Sequence, residues 1–281
     1  MIRHLHIGAR EFDLSRSIVM GILNVTPDSF SDGGRFDRVD RAVGHALQMV
    51  NEGADIIDIG GESTRPGARG VSEQEELDRV MPVLEVVRNA VDVPISVDTS
   101  KATVMREAVA AGASMLNDIR ALREKGALEA AAELGVPVCL MHMQGQPRTM
   151  QVDPQYDDVV RDVRDFLVAR ARSCRVAGIA EDLLVLDPGF GFGKTPKQNM
   201  AMLANLRQFT EAGYPILAGL SRKSTLGELT GRGIDERMPA SVAAAVIAAT
   251  RGADIVRVHD VGETVDAMRI VASVREQEGN E

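Results

Sequence analysis

The chain has 281 residues, 44% of them hydrophobic and only 3% aromatic, with no Trp and two Cys. That is enough apolar material to bury an aliphatic core without disulfide or metal staples. The net charge of −9, with no Lys/Arg run longer than two, argues against nucleic acid and anionic membranes as main partners, and no stretch approaches the roughly 18 apolar residues of a transmembrane helix.

In chain order, residues 4–7 and 11–14 read as a small hairpin around Gly8-Ala9, placed to cap the bottom of a barrel. From there the chain alternates. Val- and Ile-rich runs predict strands over 18–24, 55–60, 94–98, 114–118, 137–142, 183–187, 214–219 and 255–259. Helical spacing predicts helices over 38–52, 73–90, 101–111, 126–134, 156–177, 198–211 and 239–251, and a last one from 263 to 277. Gly53, Gly112, Gly135, Gly178, Gly213 and Gly252 each stand between a helix and the next strand, where glycine supplies a left-handed cap. Eight such units predict one domain over residues 1–281, an α/β protein of the TIM (β/α)₈-barrel type with a short N-terminal hairpin. A doubly wound open sheet is the competing architecture, disfavoured by eight strands with eight helices. Cys139 in an apolar run and Cys174 among helix-like residues form no pattern, which suits a reducing compartment. No apolar leader follows Met1, so the cytoplasm is expected.

The strand ends are polar: Asn24, Asp98, Asn117, His142, Asp187, Arg257 and His259. In a barrel they converge on the carboxyl face, where barrel enzymes carry their sites. Each alone would suit a helix cap or loop; the recurrence is what points to a site. Asp58, before Gly60-Gly61, suits either a structural or a functional role. Two loops, 28–34 and 62–67, have the polar composition of lids, with hydroxyls and Arg65 suited to phosphate oxygens. A third, Asp187 to Lys194, is glycine-rich but lacks P-loop spacing. Its Phe190 and Phe192 suit either a flat ligand ring or the core. Ser221-Arg222-Lys223-Ser224 opens a helix and suits an anion or ring carbonyl. Arg257 and His259, two apart on the last strand, point the same way and with Asn24 make a phosphate or pyrophosphate anchor. The carboxylates Asp98 and Asp187, with Asn117, suit a ligand edge rich in N–H donors.

These segments resemble the dihydropteroate synthases. The resemblance rests on Met20 to Gly34, Asp58 to Gly67, Ser96 to Thr99, Asn117-Asp118, Asp187 to Lys194, Ser221 to Ser224 and Arg257 to Asp260, and runs the length of the chain in order. It implies a folate-pathway transferase that joins 4-aminobenzoate to 7,8-dihydropterin-6-ylmethyl diphosphate, with Mg²⁺, as a homodimer. It implies a pterin site of Asp98, Asn117, Met141, Asp187, Gly219 and Lys223, and a diphosphate site of Asn24, Arg257 and His259, with Asn24 the metal ligand. It implies an aminobenzoate site of Thr64, Arg65, Pro66, Phe192, Lys223 and Ser224. Asp98, Lys223, Arg257 and His259 would carry the chemistry, through an SN1-like loss of pyrophosphate. A pterin-dependent methyltransferase domain and a silent pterin-binding homologue are the alternatives. The first would have no use for the 28–34 loop or the Ser221–Ser224 turn, and the second should have lost Asn24, Lys223 or the Arg257/His259 pair; all are present. His142 is given no role.

Overall fold

A computed structural model describes residues 4–26, 35–63, 70–146 and 149–278, without the side chains of 35–38. The N-terminal hairpin pairs β1 (His4–Ile7) with β2 (Arg10–Asp13). Eight parallel strands follow: β3 (Ile18–Asn24), β4 (Ile56–Gly60), β5 (Ile95–Asp98), β6 (Met115–Asp118), β7 (Val138–Met141), β8 (Leu184–Asp187), β9 (Leu217–Ala218) and β10 (Ile255–Val258). They lie in the order β8-β7-β6-β5-β4-β3-β10-β9. A parallel bridge between Leu186 and Ile216 joins the two ends of that order and brings the sheet round to a nearly closed barrel. The closed reading therefore holds.

Ten α-helices among the described residues wrap the sheet: α1 (Arg35–Asn51), α2 (Glu73–Ala90), α3 (Ala102–Ala110), α4 (Ala127–Leu134), α5 (Val159–Val176), α6 (Pro196–Ala204), α7 (Arg207–Thr210), α8 (Ser224–Thr230), α9 (Met238–Thr250) and α10 (Val261–Glu278). The six predicted cap glycines all have positive φ, from 61° to 109°. At Gly252 the conformation is obligatory in practice: φ is 99°, and an added Cβ would lie 2.8 Å from Thr210 Cγ2.

Differences from the sequence reading have local causes. Pro94 and Pro137 cannot donate to the ladder, so β5 and β7 start one residue later than expected. Pro215 does the same to the seventh barrel strand, which shrinks to Leu217–Ala218. The helix expected over 198–211 breaks in two at Asn205, whose side-chain amide donates to Ala201 O at 2.8 Å and competes with the helix ladder.

Two apolar layers set the architecture. Alternate strand residues point outward into the helices and form the larger core, including Val19, Ile57, Val97, Leu116, Leu140, Leu186 and Val256. The inward set at the amino ends is Ile18, Met20, Ile56, Met115, Cys139, Val185, Leu217 and Ile255, and Leu5, Ile7, Phe12 and Leu14 of the hairpin pack with it. The hairpin is thus an apolar plug at the bottom. Polar groups are left to occupy the other end.

Candidate active site

Moving up the barrel interior, the side chains change from apolar to ionisable. Asp58 is wholly buried inside the apolar run Ile56-Ile57-Asp58-Ile59. A lone carboxylate there would be costly without partners. Its Oδ2 accepts from Arg257 Nε at 2.6 Å and from Asn117 Nδ2 at 3.0 Å. Arg257 also reaches Asp98 Oδ2, 3.0 Å from its Nη2. One guanidinium on β10 therefore bridges carboxylates on β4 and β5, and Asn117 on β6 is tied to the same hub.

Register places the next level. Asn24 is paired with Gly60, Gly60 with Asp98, and Asp98 with Asn117, so all share one face of the sheet. Because Gly60 has no side chain, a notch opens between its neighbours. A Cβ there would lie 3.6 Å from Asn24 Oδ1 and 3.8 Å from Asp98 Oδ2. Across the mouth, Asp187 Oδ1 accepts from Gly189 N at 2.7 Å. Lys223 stands just before α8, its Nζ donating to Phe190 O and lying 4.6 Å from the Phe192 ring centroid. Gly219 sits between Arg257 and Lys223: a Cβ on it would be 3.8 Å from Arg257 Cβ and 4.0 Å from Lys223 Nζ. Met141 is buried with Phe192, Ile119, Met143 and Met150 in a small apolar patch beside the mouth.

Burial dominates the electrostatics. It pushes the Asp98 carboxyl up to about 8 despite the Arg257 guanidinium, with Asp58, Glu76 and Asp118 adding to the rise. It also raises Asp187, opposed by Lys223 and the Gly189 N–H. Lys223 is pushed down to about 8 by burial, opposed by Asp187. The barrel-core thiol of Cys139 is driven well up by burial, which makes it inert.

Asp98, Asn117, Asp187, Lys223, Arg257, Gly219 and Met141 thus stand together at the carboxyl end of the barrel, with Asn24 beside them. Two strand-end expectations change. His259 lies just past β10, not on it, and both its backbone N–H (3.1 Å) and its Nδ1 (3.0 Å) meet Ser221 Oγ. Arg222 and Asp260, the neighbours of these residues, form an ion pair at 2.5 Å, so the Ser221–Lys223 turn and the end of β10 are tied twice. His142 lies just past β7 and leaves the ring: its imidazole packs edge-on to Phe166 of α5, 4.8 Å between centroids, because the inward position belongs to Met141. Phe190 is core, 1% exposed, while Phe192 sits under Lys223. Ser224 is exposed at the start of α8. Thr64, Arg65 and Pro66, and the 28–34 loop, lie outside the described residues.

Asp58 and Ser221 have roles that the sequence reading did not assign. A usable signal existed for Asp58, since an ionisable residue inside a buried apolar strand must have a partner. None existed for Ser221, whose contact joins segments 38 residues apart. Among the described residues no three His, Cys, Asp or Glu side chains group to hold a metal, and no helix is long and apolar enough to cross a membrane.

A family model described as pterin binding enzyme matches residues 20–259. The dihydropteroate synthase of Escherichia coli (strain K12) is 58% identical over 259 residues, which is 92% of each chain. The solved dihydropteroate synthase of Yersinia pestis, in a sulfonamide drug complex, matches with a TM-score of 0.93 at 56% identity, covering 97% of this chain and 99% of that one. That of Xanthomonas albilineans, with 4-aminobenzoic acid, gives 0.92 at 53% identity, covering 97% and 98%.

Proposed function

The chain belongs to the pterin-binding enzymes and, within them, to the dihydropteroate synthases; on that premise we propose that it joins 4-aminobenzoate to (7,8-dihydropterin-6-yl)methyl diphosphate, giving 7,8-dihydropteroate and pyrophosphate. The observation that carries the reading is the convergence of Asp98, Asn117, Asp187 and Lys223 on one mouth with Arg257 beside them.

The division of labour follows from chemistry. Asp187 and Asp98 accept N–H groups of the pterin, Asn117 meets its mixed donor and acceptor edge, and Lys223 donates to a ring carbonyl or imine nitrogen. Gly219 and Met141 line the slot. Arg257 and His259 hold the diphosphate and take up the charge that develops as the methylene–oxygen bond breaks with its electron pair leaving on pyrophosphate. The cation left on the methylene is delocalised into the pterin ring and faces the Asp98 carboxylate. The neutral aromatic amine then attacks through its lone pair, and a proton leaves to solvent, so no strong base is required. Phe192, Lys223 and Ser224, with Thr64, Arg65 and Pro66, complete the aminobenzoate side.

Mg²⁺ fits this site as a partner of the diphosphate. Asn24 Oδ1 is a neutral oxygen beside the Gly60 notch, and Mg²⁺ characteristically takes few protein oxygens together with phosphate and water. When bound it would neutralise charge on the leaving group.

We read residues 1–281 as one domain and the assembly as a homodimer. The helix α9 is apolar almost throughout and still exposes Ile247 (41%), and α10, which packs against it, exposes Ile270 (67%) and Val274 (53%); such exposed apolar side chains suit a second copy of the chain. Two buried free thiols suit the cytoplasm. Chromatographic detection of 7,8-dihydropteroate from the two substrates tests the activity. Pterin binding with no product would favour a silent homologue and refute it.

A further inference from the structure

The buried amine of Lys194 is 1% exposed and takes no part in the steps above. Its Nζ lies 2.9 Å from His142 Nδ1 and donates to Gly189 O at 2.9 Å and Phe192 O at 3.0 Å, with His142 O at 3.4 Å. An amine so deep in the protein is tolerated only where its hydrogens find such partners. Burial drives its pKa well down and Asp187 opposes the shift. His142 is a fitting partner, because burial first and Lys194 second push its imidazole down to about 2, so the ring is neutral.

These contacts shape the turn between Asp187 and Lys194. Gly189, Gly191 and Gly193 have φ of 70°, 80° and 69°, so the turn is built on left-handed residues. Every carbonyl from 189 to 193 then meets a side-chain donor: Gly189 and Phe192 meet Lys194, Phe190 meets Lys223, Gly191 meets Gln151, and Gly193 meets Tyr156. The turn also presses against β7, since a Cβ on Gly189 would lie 1.9 Å from His142 O. Backbone N–H of His142 donates to Asp187 O at 3.0 Å. Lys194 and His142 therefore hold one side of a turn whose other side holds Lys223 and whose first residue is Asp187.

We propose that Lys194, paired with His142, is a positioning residue for the transferase reaction, fixing the 189–193 turn in the shape that aims Lys223 and Asp187 at the pterin. The proposal rests on the reading of this mouth as a pterin site. It differs from a purely structural role because the loss should fall on pterin affinity in folded protein, and because position 142 should need a hydrogen-bonding group rather than mere bulk.

The test compares Lys194→Met, His142→Gln and His142→Leu, measuring the thermal midpoint, calorimetric binding of the pterin diphosphate, and KM and kcat well below each midpoint. Lys194→Met and His142→Leu are expected to raise Kd and KM for the pterin diphosphate about tenfold or more, the usual scale for orphaning a buried hydrogen-bonding group, with kcat changed less than about threefold. His142→Gln, which keeps a group able to pair with Lys194, should stay within about threefold of wild type. Folded variants that lose thermal stability but bind the pterin diphosphate as wild type does would overturn the proposal, as would equal effects of Gln and Leu at 142. Should Lys194→Met not fold, the His142 pair decides alone. Wild-type protein that binds no pterin diphosphate would instead refute the reading of the site, and this proposal with it.

Discussion

Replacing Asp58 by Asn removes the negative charge at the hub of the barrel mouth while keeping its shape. In the native protein the carboxylate is fully buried, and one oxygen, Oδ2, serves both Arg257 Nε at 2.6 Å and Asn117 Nδ2 at 3.0 Å. The other, Oδ1, is buried with no hydrogen-bond partner among the described residues, and the amide NH₂ takes that buried place if the Asn oxygen stays toward Arg257 and Asn117. Removing one member of a buried ion pair costs about 3–5 kcal/mol. Arg257 keeps Asp98 at 3.0 Å, so the low end applies, about 3 kcal/mol. Arg257 is then drawn wholly onto Asp98, which the pterin needs, and Asn117 loses its anchor. If about 2 kcal/mol of the loss falls on the transition state, kcat/KM for the pterin diphosphate drops about 30-fold, at about 1.4 kcal/mol per tenfold. The assay is initial rate against pterin diphosphate at saturating 4-aminobenzoate, with a thermal midpoint as the check on folding. A folded Asp58→Asn protein with kcat/KM within threefold of wild type would refute the hub.

Other consequences are as direct. Asp98 sits near 8, raised by burial, and accepts N–H groups as the carboxylate, so kcat/KM for the pterin substrate should climb as pH approaches 8. Lys223 sits near 8, lowered by burial, and donates as the ammonium, so the same quantity should fall above 8. The profile is then a bell with its maximum near pH 8, whose limbs belong to the coupled site; Lys223→Arg should lose the alkaline limb, and a flat profile from pH 6 to 9.5 would contradict both assignments. Asp98→Asn should lower turnover far more than pyrophosphate affinity, measured by product inhibition, and equal losses would remove its cation-stabilising role. Gly189→Ala should destabilise severely and abolish pterin binding, because its Cβ meets backbone at 1.9 Å. Gly213→Ala, at φ 84° with open space around it, should cost only about 1 kcal/mol of stability, seen as a small shift in thermal midpoint, and leave kinetics unchanged.

Much of the fold is legible in the sequence because each β/α unit carries its own punctuation. The Val/Ile runs, the glycine after six of the helices and the polar residue at most of the strand ends recur from unit to unit, and the strands fall within a residue or two of expectation save where Pro215 cuts the ladder. The hairpin plug was legible too, since Leu5, Ile7, Phe12 and Leu14 alternate as half-buried strands must. In the site, Asp98, Asn117, Asp187 and Arg257 could be brought together from strand phase alone. What could not be read is which group pairs with which. Arg257 meets Asp58 across 199 residues of chain, a partnership set by barrel closure rather than by any local pattern. Lys194 looked like the end of a glycine-rich motif and His142 like a member of the ring. Only the packing of the turn against β7 shows that they face each other beneath it.

The central claim is tested most directly by pyrophosphate release at saturating pterin diphosphate as 4-aminobenzoate is varied, with Mg²⁺ present. The predicted result is release that rises with 4-aminobenzoate to a plateau and matches 7,8-dihydropteroate one for one. Release at the same rate without 4-aminobenzoate, or none with it, would contradict the account.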